Sequence, residues 1–200
     1  MIKNIIFDMG NVLIKYDPEL FIERAGISDE FDKRSLMNSI FKSSGWQEMD
    51  MGILDEQGML ERAKKELPEY LWDVAYDLIY EWDKPLIPVD GMYELVAWCR
   101  EKGYRLYLLS NASVRQPEYW YDMPVHQYFD GTVVSALEKE IKPFPQIYYT
   151  LLRRYALKAE ECLFIDDVEI NVKTAKAIGM DGWLFKNDAG KLKEYIEELQ

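Results

Sequence analysis

Short apolar runs that end in polar or small residues alternate along this chain with helical patterns. The apolar runs are continuous, as strands buried on both faces of a sheet require. They occupy residues 2–7, 104–109, 131–135, 162–165 and 182–185. Patterns typical of helices lie between them or after them, at residues 92–102, 145–155 and 168–178. This alternation predicts an α/β fold with a doubly wound, mostly parallel sheet.

The stretch between the first two predicted strands has a different character. It carries helical patterns and no persuasive strand, and the helices are predicted at residues 18–25, 30–41, 55–66 and 69–82. We therefore expect a helical cap domain, residues 16–85, inserted into an α/β core domain of residues 1–15 and 86–200. Ligands of open α/β sheets bind beyond the carboxyl ends of the strands. An insert that leaves the first strand there is expected to cover that site.

Charge and hydropathy limit the partners of the chain. The net charge is −12, from 36 acidic and 24 basic residues, which argues against binding to nucleic acid or to an anionic membrane. No apolar stretch reaches the roughly 18 residues of a membrane span, and the N-terminal run is too short for a signal peptide. The only two cysteines, Cys99 and Cys162, suit a reducing compartment. We expect a cytoplasmic protein, monomeric or weakly dimeric, with a terminal helix over residues 194–200.

Three other residues have alternative interpretations. The single histidine, His126, excludes a multi-histidine metal site, and packing or surface exposure suits it better than catalysis. Trp46 lies between predicted cap helices and either faces a substrate or packs between the helices. Arg115 either holds a polar substrate or, like Trp46, has only a packing role.

Several chemically reactive side chains follow the predicted strands. Asp8 ends the first strand, Ser110 and Asn111 end the second, and Asp166 and Asp167 end the strand at 162–165. Taken singly, each has a plainer role as a helix cap or turn residue. Parallel strands of one sheet bring their carboxyl ends together, so we expect these groups to converge.

Their convergence has a chemical consequence. Three carboxylates in one place repel each other unless a cation neutralises them. Their oxygens suit a hard divalent ion, and Mg²⁺ is typically held by one or two carboxylates, waters and a substrate phosphate. Ser110 and Lys142, a lysine just before Pro143, would then hold the phosphate oxygens that the metal leaves free.

The order of these motifs resembles that of the haloacid dehalogenase (HAD) superfamily of hydrolases. Residues 7–12 resemble its nucleophile motif, and residues 109–111 its phosphate-holding serine or threonine motif. Lys142 with Pro143 resembles its lysine motif, and residues 164–167 with Asn171 its acidic metal motif. The resemblance spans the whole predicted sheet domain, and the insert resembles the helical cap of one subgroup. It implies a HAD-like Rossmannoid fold.

The resemblance also implies roles for individual residues. Asp8 would be the nucleophile that forms an aspartyl-phosphate and would also bind Mg²⁺, together with the carbonyl of Gly10 and the carboxylate of Asp167. Asp166 would lie behind these ligands, and Lys142 would assist catalysis and bind substrate. The phosphate would bind Ser110 and a set of backbone N–H groups, those of Met9, Gly10 and Asn111.

One position departs from the family pattern. Most family phosphatases carry a second aspartate two residues after the nucleophile as general acid and base, and here that residue is Gly10. A similar arrangement occurs in the branch that resembles α-D-glucose-1-phosphate phosphatase. A glycosyl phosphate has a better leaving group than an alkyl phosphate, which makes a missing acid more tolerable. We therefore expect an Mg²⁺-dependent phosphatase of a small phosphorylated metabolite, such as a sugar phosphate. The alternative is a HAD-like domain that binds phosphorylated ligands with little or no turnover.

Overall fold

The computed structural model describes residues 1–199 and contains a five-stranded sheet in which every neighbouring pair of strands is parallel. The strand order is β3-β2-β1-β4-β5. The strands are β1 (Asn4–Phe7), β2 (Arg105–Ser110), β3 (Gly131–Val134), β4 (Cys162–Asp166) and β5 (Asp181–Leu184). The predicted α/β class and parallel sheet are confirmed.

Helices pack on both faces of this sheet. The six are α6 (Met92–Glu101), α7 (Gln116–Trp120), α8 (Ser135–Glu138), α9 (Pro145–Arg154), α10 (Glu169–Ala177) and α11 (Ala189–Glu198). Alternate residues of β1 enter different cores: Ile5 and Phe7 join one hydrophobic cluster, whereas Ile6 joins another with Tyr148 and Phe164. Burial on both faces explains why the strand sequences are continuously apolar.

A separate group of helices lies between β1 and α6 in the sequence. It comprises α1 (Pro18–Arg24), α2 (Glu30–Leu36), α3 (Ser44–Asp50), α4 (Glu56–Glu66) and α5 (Trp72–Tyr80). These helices surround their own hydrophobic cluster, which includes Leu36, Ile40 and Leu71. We call residues 16–85 the helical segment. Asp17, Asp29 and Asp55 cap three of its helices by accepting backbone N–H groups.

Several predicted boundaries were wrong. The first strand begins at Asn4, where pairing with Arg105 and Cys162 starts, and not at residue 2. The pattern at 30–41 is an α-helix only to Leu36 and continues as a π-helical turn, Met37–Phe41. Helix α3 was not predicted, because its Ser-Gly start masks the helical pattern. The predicted helix at 194–200 is the end of α11, and Gln200 lies outside the described residues.

The helical segment contacts the sheet layer where α3 ends. The hydroxyl of Ser135 donates to the carbonyl oxygen of Asp50 at 2.5 Å, and the Lys139 ammonium donates to that of Gly52 at 3.0 Å. Gly52 has a φ of 65°. A Cβ at this position would lie 2.3 Å from the carbonyl oxygen of Ala136. The close backbone approach fixes the end of α3 beside the first residues after β3.

The strand register places the ends of the three central strands side by side. Phe7 is paired with Leu108 on one side and with Ile165 on the other. Asp8, the next residue, therefore lies beside the carboxyl ends of β2 and β4. No helix within residues 1–199 is both long and apolar enough to span a bilayer.

Candidate active site

A buried lysine connects two of the carboxylates at the end of the sheet. The Lys142 ammonium lies 2.8 Å from Oδ1 of Asp8 and 2.7 Å from Oδ2 of Asp166. Burial alone would lower the pKa of Lys142, but the carboxylates of Asp166 and Asp8 raise it above its ordinary value. Burial raises the pKa of Asp8, an effect that the charge of Lys142 opposes and that of Asp166 reinforces.

Asp166 uses its carboxylate to organise the neighbouring side chains. Its Oδ1 accepts the backbone N–H of Val168 at 2.8 Å, and its two oxygens accept the Asn171 amide at 3.0 and 3.1 Å. With Lys142 on Oδ2, the fully buried carboxylate has several donors. Asp166 is thereby held as a fixed support for Lys142.

Asp167 has fewer partners. Its Oδ2 accepts one hydrogen bond, from the Asn11 amide at 3.2 Å, and the Asn11 carbonyl oxygen in turn accepts the N–H of Tyr16 at 3.0 Å. Asn11 has a φ of 53°, a left-handed conformation that asparagine tolerates. Burial raises the pKa of Asp167, and the charge of Asp166 adds to the shift.

The three carboxylates form a single group. One oxygen each from Asp8, Asp166 and Asp167 lies within 4.8 Å of the others. Among residues 1–199, no backbone N–H outside the regular helices and strands donates to the carbonyl oxygen of Gly10. This set of oxygens has the chemistry of a site for a hard divalent cation.

Asn111 and Lys142 are tied together by two hydrogen bonds. The Asn111 amide donates to the carbonyl of Lys142 at 3.0 Å and accepts the N–H of Lys142 at 2.9 Å. Ser110 is buried, and the contact from its hydroxyl to the Asn111 carbonyl, at 3.5 Å, is long. The N–H of Met9 donates to Asp8 itself at 2.7 Å. The structure therefore connects Asp8, Asn111 and Asp166, at the ends of β1, β2 and β4, through Lys142. Ser110 lies outside the residues that line the cavity above them.

A cavity of about 320 Å³ opens above this group of carboxylates. Its floor comes from the sheet and includes Asp8, Gly10, Asn111 and Asp167. Its remaining lining comes largely from the helical segment and includes aromatic side chains, acidic side chains and a methionine, namely Tyr16, Phe41, Trp46, Trp82, Asp50, Glu56 and Met49. The cavity therefore lies between the two layers.

Sequence reasoning missed most of the helical lining. Trp46 lines the cavity and also packs within the helical segment, where its ring lies 4.8 Å from that of Phe41; that it faces a substrate stays a prediction. Glu56 follows the Asp55 cap and is buried, and it accepts the Ser113 hydroxyl at 2.6 Å. Nothing in the helical periodicity distinguishes such a residue from an exposed helix-start glutamate. The side that each helix turns to the cavity depends on packing between layers.

His126 and Arg115 lie outside the residues that line the cavity. Nδ1 of His126 is 2.9 Å from the carbonyl oxygen of Met123, and its ring packs edge-on against Tyr121. The guanidinium of Arg115 pairs with Glu118 at 3.1 Å and with Asp83 at 3.7 Å. Both side chains therefore have structural contacts of their own.

The fold and this constellation define a hydrolase class. The family model described as haloacid dehalogenase-like hydrolase matches residues 2–179, and the chain belongs to that family. It is a hydrolytic enzyme whose relatives include several phosphatases.

Three similar proteins cover most of the chain. A sesquiterpene phosphatase of Aspergillus oryzae is 26% identical over 90% of this chain and 88% of its own length. A D-ribitol-5-phosphate phosphatase of Bacteroides thetaiotaomicron is 26% identical over 94% of both chains. A HAD family enzyme of the same bacterium, solved in complex with magnesium and inorganic phosphate, has a TM-score of 0.74 and 28% identity. That comparison covers 95% of this chain and 96% of the other.

Proposed function

We propose that this chain is an Mg²⁺-dependent phosphatase that hydrolyses a small phosphomonoester through an aspartyl-phosphate on Asp8. The observation that carries the proposal is the position of Asp8. Its carboxylate lies at the end of β1 on the cavity floor, 2.8 Å from the Lys142 ammonium, with two further carboxylates nearby. A carboxylate so placed can act as a nucleophile towards a phosphoryl group that surrounding positive charge neutralises.

The oxygen donors of the site fit Mg²⁺. Asp8, the Gly10 carbonyl and Asp167 would hold the ion, because Asp166 is occupied by Lys142, Asn171 and a backbone N–H. When bound, Mg²⁺ supplies Lewis-acid stabilisation of the negative charge on the transferring phosphoryl group. The similar HAD family enzyme of Bacteroides thetaiotaomicron, crystallised with magnesium, supports the same choice of ion.

Each site residue has its own role in the proposed reaction. The Asp8 carboxylate attacks phosphorus while the bond from phosphorus to the ester oxygen breaks and its electron pair leaves with that oxygen. Water then attacks the phosphorus of the aspartyl-phosphate and restores the Asp8 carboxylate. Lys142 neutralises the phosphoryl oxygens and holds Asp8 in line, since alignment of the reacting atoms removes much of the barrier. Ser110 and the N–H groups of Met9, Gly10 and Asn111 would complete the phosphate site.

The helical segment would serve as a cap domain. Residues 16–85 have their own hydrophobic cluster, and residues 1–15 and 86–200 would form the catalytic core domain. The cap contributes aromatic rings and the acidic side chains of Asp50 and Glu56 to a cavity large enough for a small metabolite. Rings that pack on C–H faces and carboxylates that accept hydroxyl groups suit a sugar or polyol phosphate, the substrate type of the ribitol-phosphate relative.

Phosphate release from a panel of sugar, polyol, terpenyl and aryl phosphates would test the proposed activity. We expect turnover with Mg²⁺, no turnover with EDTA, and recovery when Mg²⁺ is restored in excess. Activity that is unaffected by EDTA would contradict the proposed metal dependence.

Gly10 favours a second candidate function, since the family's usual proton donor is missing. A binding domain would be stabilised against heat by Mg²⁺ with a phosphorylated ligand and would release no phosphate over hours. Turnover of any phosphate ester in the panel that Asp8→Asn abolishes excludes this candidate.

A further inference from the structure

The helical segment contributes an acidic side chain to the cavity whose floor carries the proposed nucleophile. Asp50 is the last residue of α3, and it lines the same cavity as Asp8 and Asp167. We infer that Asp50 is the general acid and base of this enzyme and takes the role that Gly10 leaves open. This inference rests on the proposed phosphatase activity and extends it to a residue outside the sheet.

Contacts at the end of α3 hold Asp50 in place. The Ser135 hydroxyl donates to the Asp50 carbonyl at 2.5 Å and also accepts the N–H of Ala112, near the end of β2, at 3.0 Å. Two residues further on, the backbone of Gly52 lies against that of Ala136. Asp50 is therefore fixed to the same sheet end that carries the nucleophile, although it belongs to another layer.

The Asp50 carboxyl is suited to carry a proton near neutral pH. Burial raises its pKa to about 7, and the charge of Lys142 opposes the shift. A general acid works best when its pKa lies near the operating pH. The titratable groups that line the cavity together with Asp50 are Tyr16, Tyr119, Glu56, Asp8 and Asp167. Lys142 is buried outside this lining and acts on Asp50 through its charge.

The other acids of the cavity are less suited to this role. Burial holds the pKa of Tyr16 and Tyr119 above the ordinary tyrosine value, which weakens them as acids. Glu56 is engaged by Ser113, and Asp167 belongs to the group of carboxylates on the sheet. The bond from Ser135 uses the backbone carbonyl of Asp50 and not its carboxyl, and Asp50 lines the cavity.

The proton balance of the reaction is complete with this assignment. As Asp8 attacks phosphorus, the ester oxygen receives the bonding electron pair and takes the proton of the Asp50 carboxyl, so a neutral alcohol leaves. Asp50 is then a carboxylate. It accepts a proton from the water that attacks the aspartyl-phosphate, the Asp8–phosphorus bond breaks, and the bonding pair returns to Asp8. Inorganic phosphate leaves and Asp50 is protonated again.

Asp50→Asn tests the assignment through its dependence on the leaving group. An alkyl or polyol phosphate needs protonation of its leaving oxygen, whereas p-nitrophenyl phosphate does not. We expect kcat/KM to fall about 10²–10⁴-fold for the polyol ester and only a few-fold for the aryl ester. Asp73→Asn, the same change at an exposed position of α5, is the matched control and is expected to alter neither.

A second variant separates proton transfer from structure. Gly10→Asp in the Asp50→Asn background supplies an acid from the sheet side and is expected to restore part of the polyol activity. Asp50→Glu is expected to retain more activity on the polyol ester than Asp50→Asn. If Asp50→Asn does not fold, the comparison of Asp50→Glu with wild type over a series of aryl and alkyl phosphates replaces it, and a steeper dependence on leaving-group acidity is expected.

Equal losses on both esters, or no loss on either, would overturn the assignment, as would a leaving-group dependence that Asp50→Glu leaves unchanged. Failure of the proposed function is a different result, because wild-type protein with Mg²⁺ would then release no phosphate from any ester.

Discussion

The electrostatic centre of the site is a buried lysine placed between two aspartates. Lys142 is within 3 Å of oxygens of Asp8 and Asp166, and all three side chains lie at the end of the parallel strands. A buried charge without its partner is costly, because burial removes the water that would otherwise stabilise it. The lysine therefore supports both the fold and the proposed nucleophile.

Lys142→Met is expected to destabilise the protein by about 3–5 kcal/mol, since it leaves buried carboxylates without their counter-charge. Without the lysine the pKa of Asp8 rises further, and protonation relieves the repulsion at low pH. The loss in free energy of unfolding caused by Lys142→Met should therefore be smaller at pH 5 than at pH 8, as measured by urea unfolding.

Lys3→Met is the matched control, because Lys3 pairs with Glu161 at 2.6 Å on the surface. We expect it to cost less than about 1 kcal/mol at either pH. A Lys142→Met protein as stable as Lys3→Met at pH 8 would contradict this account of the site.

Gly10→Asp is expected to add a second acid beside Asp8. A Cβ at Gly10 would lie 3.6 Å from Cβ of Tyr16, an ordinary contact, so the site has room for a first side-chain atom. The new carboxyl would lie near Asp8, and its pKa should be raised. Because Asp50 is proposed to supply the proton already, we expect kcat/KM for esters with poor leaving groups to gain more in the Asp50→Asn background than in otherwise wild-type protein, with little change for p-nitrophenyl phosphate in either.

Gly10→Asn is the control for that experiment, since it adds the same volume without an acidic proton. If both variants lose activity on both esters, the space at residue 10 is needed by substrate or water, and the interpretation of the missing acid is wrong.

Individual site residues on the sheet could be predicted from the sequence, whereas those on the helices could not. Asp8, Ser110 and Asp166 each end a continuous apolar strand, and parallel strands must bring such ends together. Asp50 and Glu56 lie in helices whose rotation is set by packing against the sheet layer. Their spacing resembles that of any exposed acid on an amphipathic helix.

At the level of elements, the end of α3 is where the helical segment makes close backbone contact with the residues that follow β3. Gly52→Ala forces a side chain into a left-handed residue and against the carbonyl of Ala136. We expect a loss of more than about 1 kcal/mol of stability and a lower kcat/KM, because Asp50 moves with the end of α3. Thermal unfolding and phosphate release measure the two effects.

Gly26→Ala is a control with the same backbone strain, since Gly26 has a φ of 81° but no atom within 4 Å of its added Cβ. It is expected to reduce stability without reducing kcat/KM. If the two variants behave alike, the contact at Gly52 has no special part in positioning the site.

The elements themselves followed from the sequence to different degrees. Continuous apolar runs predicted every strand of the sheet within one or two residues. The prediction of one α-helix over residues 30–41 was wrong in its second half. There the chain forms a π-helical turn that packs on the hydrophobic cluster of the helical segment. Such a turn depends on tertiary packing, which local periodicity does not record.

At the scale of the whole molecule, the cavity is lined by two layers that come from different parts of the sequence. The helical segment leaves after β1 and returns before α6, so its rings and acids reach the carboxyl end of the sheet. This arrangement was expected from the position of the insert. The division into domains at residues 15/16 and 85/86, the cytoplasmic location and the monomeric or weakly dimeric state stay predictions.

Ligand binding across the cavity should stabilise the folded protein. We expect Mg²⁺ and inorganic phosphate together to raise Tm more than either alone, since a ligand at 100 times its Kd adds about 2.7 kcal/mol. Differential scanning calorimetry without ligand, with Mg²⁺, with phosphate and with both measures the effect. Equal Tm values in all four conditions would contradict a joint metal and phosphate site.

The central claim is that Asp8 attacks the phosphoryl group, and the rate of phosphate release by Asp8→Asn in Mg²⁺ tests it most directly. Asparagine keeps the shape of the side chain but removes its nucleophilic carboxylate. We predict that kcat falls by more than about 10³-fold while the variant remains folded. Phosphate release at or near the wild-type rate would contradict the account.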